Sequence, residues 1–150
     1  MVAAARGRRN SEHELWRQLL LLVNRVGGTL DKKLQRQHGV SVSEFTVLST
    51  LADVEKGGGM RMQELADAVG MSQSTMSRLV GRLESGGFAT RTISDQDRRA
   101  MYARITEQGK ELVAEADGTF GKELGVALDM AAFDSSTASL VARLRHDPSV

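Results

Sequence analysis

Apolar residues recur along this chain with two periods, and the change from one to the other marks its parts. From Ser11 to about Gln37, Leu15, Leu19, Leu22 and Val26 return at three- and four-residue steps and are continued by Leu30 and Leu34, the repeat of one helix face. Gly27-Gly28 predicts a bend midway, and Gly39 a stop. Ser41-Val42-Ser43-Glu44 has the form of a capping box, with serine at N-cap and glutamate three residues on. The helix it opens is expected to run to about Val54 and to bury Phe45, Leu48 and Leu51. Lys56-Gly57-Gly58-Gly59 reads as a loop, and Met60-Arg61-Met62 as a short third strand.

Between Gln63 and Ile105 the pattern shortens. Two helices are expected, 63–69 and 73–85, with Leu65, Val69, Met71, Met76 and Leu79 as the contacts between them. Ala66 is small where the helices must touch, and Gly70 supplies the positive φ of a sharp turn. Ser72 is a good N-cap for the second helix, which Gly86-Gly87 ends. Phe88–Ile93 and Ala100–Ile105 are β-prone runs around a polar tip, Ser94–Arg99, and predict a two-stranded wing over 88–105. Thr106 then caps a helix over roughly 107–127, and Asp129 is read as the cap of a last one over roughly 130–145. These carry Leu112, Phe120, Leu124, Leu128, Phe133, Leu140 and Leu144.

Composition narrows the function classes. The chain has 150 residues, 41% hydrophobic and only 4% aromatic, so its core is built from Leu, Val, Ala and Met. No apolar run approaches the length of a membrane span. The basic first ten residues contain no apolar stretch suited to a secretory signal, so a cytoplasmic location without membrane association is expected. With no cysteine there is no disulfide and no thiolate metal site. The net charge is only +1, but residues 1–40 and 71–110 are basic whereas 41–70 and 111–150 are acidic. That uneven distribution suggests one anion-facing surface.

The exposed side of helix 73–85 carries Gln73, Ser74, Thr75, Ser77 and Arg78, short hydrogen-bonding groups able to read base edges in a DNA major groove. Arg78 suits a bidentate contact to guanine, and Arg82, one turn later, a phosphate. The pair Asp95 and Asp97 is a poor metal site beside arginines, and His13, His38 and His146 have no ligand spacing. No nucleophile–histidine–acid group or phosphate-cradling loop is present, so neither enzymatic activity nor a cofactor or metal is expected.

With these elements in order, the chain resembles the MarR family of winged helix-turn-helix transcriptional regulators from about Ser11 to Arg145. The likeness is densest in MRMQELADAVGMSQSTMSRLVGRLESGGFATR, DRRAMYARIT and EQGKEL. It implies a mainly α fold with a small β wing: a DNA-binding lobe over 41–105, dimerisation helices over 11–38 and 107–146, and a basic, disordered arm over 1–10 ahead of a single domain, 11–150. It also implies that Arg99, with Arg98 beside it, enters the minor groove while Asp97 orients the wing by ion-pairing. Gln96 stands where the family often has proline, and Gly118, Gly121 and Gly125 sit inside the fifth helix, each costing about 1 kcal/mol against alanine if the helix is continuous.

The expected function is a sequence-specific, homodimeric and ligand-responsive repressor that binds a pseudo-palindromic operator in double-stranded DNA. Its effector is expected to be a small aromatic or anionic compound, in a pocket that the resemblance places where the dimerisation helices meet the DNA-binding lobe. The first and last helices cannot bury their stripes in one lobe, so Leu15, Leu19, Leu22, Phe133, Leu140 and Leu144 are expected at the dimer interface. Trp16 belongs to that interface or lines the effector pocket. A winged-helix protein-interaction module that has lost DNA binding is the alternative, and the arginines at 78, 82, 98 and 99 weigh against it.

Overall fold

The computed structural model describes residues 2–54 and 59–146, with side chains from Ser11 onward. Six helices and three short strands follow in the order α1 (Val2–His38), α2 (Val42–Asp53), β1 (Met60–Arg61), α3 (Met62–Val69), α4 (Gln73–Ser85), β2 (Ala89–Ile93), β3 (Met101–Ile105), α5 (Glu107–Phe133) and α6 (Ala138–His146). Lys56, Gly57 and Gly58 of the expected loop lie outside the described residues. The strands form one antiparallel sheet in the order β1-β3-β2, so the expected third strand exists and pairs Met60 with Ala103 and Arg61 with Tyr102.

Three expectations need correction. The first ten residues, read as a disordered arm, are helical from Val2. Ala3-Ala4-Ala5 and the arginines after them are strong helix formers, and net charge alone does not oppose a helix. The fifth helix does not end near residue 127 but continues to Phe133, through Gly118, Gly121 and Gly125. Asp129, read as the cap of the last helix, lies inside α5, and its carboxylate receives Arg145 of α6 at 2.6 Å. The break comes at residues 134–137 instead. There Asp134 accepts the Ser136 N–H at 2.9 Å, and the buried Thr137 hydroxyl donates to the Ala131 carbonyl at 2.7 Å, satisfying the end of α5. Helix α1 is continuous through Gly27-Gly28, where a bend was expected.

The chain divides into two compact units, residues 34–119 and the paired chain ends up to Lys33 and from Phe120. The expected lobe, 41–105, therefore extends at both sides. Leu34 is fully buried, and the Thr119 hydroxyl bonds to His38 Nε2 at 2.9 Å and donates to Gln37 Oε1 at 3.2 Å. Within this unit Phe45, Val47, Leu48, Leu65, Met76, Leu79, Val80 and Leu83 are buried, a close-packed core under α2, α3 and α4. Val69 and Met71, expected in that core, are only partly buried. Within the other unit Leu22, Val26, Leu30, Ala127, Ala131, Leu140 and Val141 are buried.

Candidate nucleic-acid interface

The helix pair is set by local chemistry. Gly70, at φ 71° and ψ 34°, ends α3 in the left-handed region, and its N–H and that of Met71 reach back to Asp67 and Ala66 carbonyls. Any β-carbon at that φ would add strain. Ser72 then caps α4: its hydroxyl oxygen accepts the Thr75 N–H at 3.2 Å. Met76, Leu79, Val80 and Leu83 bury one face of α4, leaving Gln73, Ser74, Ser77, Arg78 and Arg82 exposed and Thr75 half-buried. Thr75 and Ser74 are partly engaged locally, since both hydroxyls lie within hydrogen-bond reach of the Ser72 hydroxyl. Arg78 has no acidic partner among the described residues.

Arg82 does. Its Nε–H donates at 3.2 Å to Glu44, whose side chain is only 15% exposed. The same glutamate closes the capping box of α2, accepting the Ser41 N–H at 2.8 Å while the Glu44 N–H donates to the Ser41 hydroxyl at 3.1 Å. The far end of α4 is braced similarly. Glu84 accepts the backbone N–H of Arg91 at 2.9 Å and its guanidinium at 3.0 Å, which together hold the carboxyl below its usual range. Helix α4 is thus tied to α2 by Arg82 and to β2 by Glu84.

The wing tip is built from short hydrogen bonds. Ser94 donates its N–H to Ala100 at 3.0 Å, and its hydroxyl accepts the N–H groups of Gln96 and Asp97 at 3.2 and 3.3 Å. Gln96 supplies a donor that a proline there would lack. Asp97 orients the tip through the backbone, its carboxylate accepting the Arg99 N–H at 3.0 Å and its carbonyl the Ala100 N–H at 2.9 Å. Among the described residues the carboxylate closes this turn and forms no ion pair of the kind expected of it. Arg98 and Arg99 are exposed, without an acidic partner among the described residues.

At the other end the wing locks onto α5. The Thr106 hydroxyl donates to the Gly87 carbonyl at 2.7 Å and accepts the Gly109 N–H at 3.0 Å, the cap expected of it. A β-carbon on Gly109 would lie 2.2 Å from the Phe88 carbonyl oxygen. This explains why a Thr cap followed by Gly belongs with the wing: both are needed where β2 begins and α5 starts.

The expected interface leucines separate. Leu22 and Leu140 are buried in the chain's own fold, at 6% and 7% exposure, because α1, α5 and α6 pack their inner faces within one chain. Leu15, Leu19, Leu144 and above all Phe133, at 91%, are exposed, as are Trp16, Leu20, Val23, Val126 and Met130. Trp16 lines neither of two cavities described in this unit. The larger, about 370 Å³, is bounded by Arg25, Val26, Thr29, Ala127, Met130, Ala131 and Asp134. The smaller is bounded by Ser11, Glu12, Glu14, Leu15, Gln18 and Arg143. Sequence reasoning missed Arg61, whose guanidinium Nε–H donates to the Tyr102 hydroxyl at 2.9 Å.

Residues 38–100 match the model of the MarR family. Transcriptional repressor MprA of Escherichia coli is 32% identical over 83 residues, which are 55% of this chain and 47% of MprA. The chain spans about half the length of the curated relatives it matches. Among solved structures, the MarR family transcriptional regulator Sco3205 from Streptomyces coelicolor, in complex with DNA, is similar over 91% of this chain and 84% of its own. Its TM-score is 0.74 at 26% identity. CouR from Rhodococcus jostii RHA1, bound to p-coumaroyl-CoA, gives 0.57 at 27% identity over 80% of this chain and 78% of its own. Among the described residues no helix is long and apolar enough to cross a membrane. The capped helix pair, the hydrogen-bonded wing and the matched segment coincide: residues 38–100 carry the winged helix-turn-helix segment of the MarR family, in a chain whose fold is similar to that of MarR family transcriptional regulators.

Proposed function

We propose that this chain is a sequence-specific DNA-binding repressor that acts as a homodimer and releases its operator on binding a small aromatic or anionic effector. The carrying observation is the exposed face of α4, where Gln73, Ser74, Ser77 and Arg78 stand clear of the core with Arg78 uncommitted to any described acid. Arg78 reads a guanine in the major groove, and Thr75 and Arg82 contribute near the backbone. Arg98 and Arg99 reach the minor groove from a tip that Asp97 shapes. Sco3205, crystallised with DNA, supports the DNA partner; CouR, bound to p-coumaroyl-CoA, supports an effector; and MprA, named a repressor, supports the sign of regulation. The exposed Leu15, Leu19, Leu144 and Phe133 support self-association through the chain ends. The regulator is read as a cytoplasmic protein without catalytic activity, its lobe and dimerisation helices forming one functional domain.

Selection of bound duplexes from a random pool, followed by fluorescence anisotropy, tests this. A pseudo-palindrome with half-sites about one helical turn apart should emerge. Arg78→Ala should cost about 1–3 kcal/mol on it and relax one position per half-site. Equal weak binding to all duplexes would overturn the reading.

A further inference from the structure

We infer that Arg61 is a phosphate-contacting residue of the DNA interface, with Tyr102 as the positioning residue that holds its guanidinium. This rests on the DNA-binding reading above and adds to it a contact from β1, outside both the recognition helix and the wing tip.

The register places Arg61 there. Strand β1 runs antiparallel to β3, pairing Met60 with Ala103 and Arg61 with Tyr102, so the chain approaches the wing tip as it passes from Met60 to Arg61. On the opposite side of β3, Tyr102 pairs with Thr92, and Met101 with Ile93 closes the ladder before the tip. Only Ala100 and Met101 separate Tyr102 from Arg99, three steps or about 10 Å of extended chain. Arg61 therefore sits on the outer edge of the same sheet that presents Arg98 and Arg99. Asp97 and Glu64 lie near enough to favour its charge further, after the larger effect of Tyr102.

Its guanidinium is oriented without being neutralised. The Nε–H donates to the Tyr102 hydroxyl at 2.9 Å, and the guanidinium carbon lies 5.7 Å from the centre of the Tyr102 ring. Holding Nε and the planar group against the ring leaves the terminal Nη edge, the end suited to a phosphate, outside the bond to Tyr102. Arg61 is exposed and forms no ion pair among the described residues. Arg82 offers the contrast: its Nε is held by the Glu44 carboxylate, so the positive charge it offers a phosphate is partly offset by its partner. Two arginines are fixed through the same atom, one by a neutral hydroxyl and one by an anion. The first keeps its whole charge for a polyanion.

The test uses the full chain and its selected duplex, with affinity measured between 50 and 200 mM salt. Arg61→Gln should make log K less steep in log salt by about 0.9 per bound subunit. Tyr102→Phe keeps the charge and loses the hydrogen bond, and Arg61→Lys keeps the charge and loses the planar guanidinium held through Nε. Each should therefore retain the slope while weakening binding about two- to tenfold, and the double variant should be no weaker than either. Wild-type affinity and slope in Arg61→Gln, with the parent chain binding normally, would overturn the contact. Unchanged affinity in Tyr102→Phe alongside a lost slope in Arg61→Gln would overturn the positioning role. A parent chain that binds no duplex would overturn the DNA-binding reading and this inference with it.

Discussion

Residues 34–119 and the paired chain ends treat their apolar side chains differently. In the first unit the large apolar residues of α2, α3 and α4 are nearly all withdrawn from solvent, and only Ile93 and Met101 on the wing stand out. In the second unit a buried strip, Leu22, Val26, Leu30, Leu140 and Val141, coexists with an exposed one, Leu15, Trp16, Leu19, Leu20, Val23, Val126, Met130, Phe133 and Leu144. The lobe completes its core within one chain. The ends bury one apolar strip and leave another exposed. On the function proposed above, reading DNA would use the completed lobe, and associating with a second copy would use the surface left exposed.

Removing the C-terminal part should break this contrast most severely. Truncation after Asp129 cuts the last turn of α5, removes Thr137, Leu140 and Val141, and uncovers the apolar strip they help bury. We expect an aggregating chain with no operator binding; a soluble, folded monomer of native affinity in sedimentation and anisotropy would refute the division. Next, Leu65→Ala empties a fully buried site in the lobe and should cost about 2–5 kcal/mol in urea unfolding. Phe133→Ser should behave oppositely, changing the lobe little but weakening self-association. If its ring is buried in the dimer, about 1.5–3 kcal/mol per subunit is at stake, read as a shift in the concentration dependence of sedimentation. Substitution at Phe133 that left self-association intact would move the interface away from the end of α5.

The smallest effect is a pH window. Asp134 is held down to about 2 from its ordinary 3.8, chiefly by the Ser136 hydroxyl and N–H and then by Arg25. A depressed carboxyl stabilises the fold above its ordinary value, and that contribution fades as pH falls through about 2. Thermal melts of the parent chain and of Asp134→Asn should differ at pH 7 and converge between pH 4 and 2. A constant difference across that range would remove Asp134 from the acid response.

The lobe was legible in sequence because its signals are local. Ser41 and Glu44, Gly70, Ser72 and Gly86 each make their capping bonds within four residues, as Thr106 does to Gly109, and α4 begins and ends where they place it. The failures are non-local. Asp129 has the composition of a cap, yet its partner Arg145 lies sixteen residues away. Glu44 reads as a capping residue alone until folding brings Arg82 to it across thirty-eight positions. A stripe of leucines at helical spacing announces burial without saying what does the burying. Leu22 and Leu140 therefore looked like Leu15 and Leu144 until the fold separated them. The candidate reading residues were recognisable by type; which arginines were already engaged was not.

The two residues of β1 also govern how the reading apparatus assembles. Their pairing with β3 joins Met60 to Ala103 and closes a loop containing α3, α4 and β2. Closing such a loop costs chain entropy once, whatever lies inside it, so the enclosed helices and the wing share one closure and should fold and melt together. A peptide cut to α3 and α4 alone would keep the capping signals and lose that closure. It would be a pair of short helices, each below the length that persists in water, with no fixed angle between them.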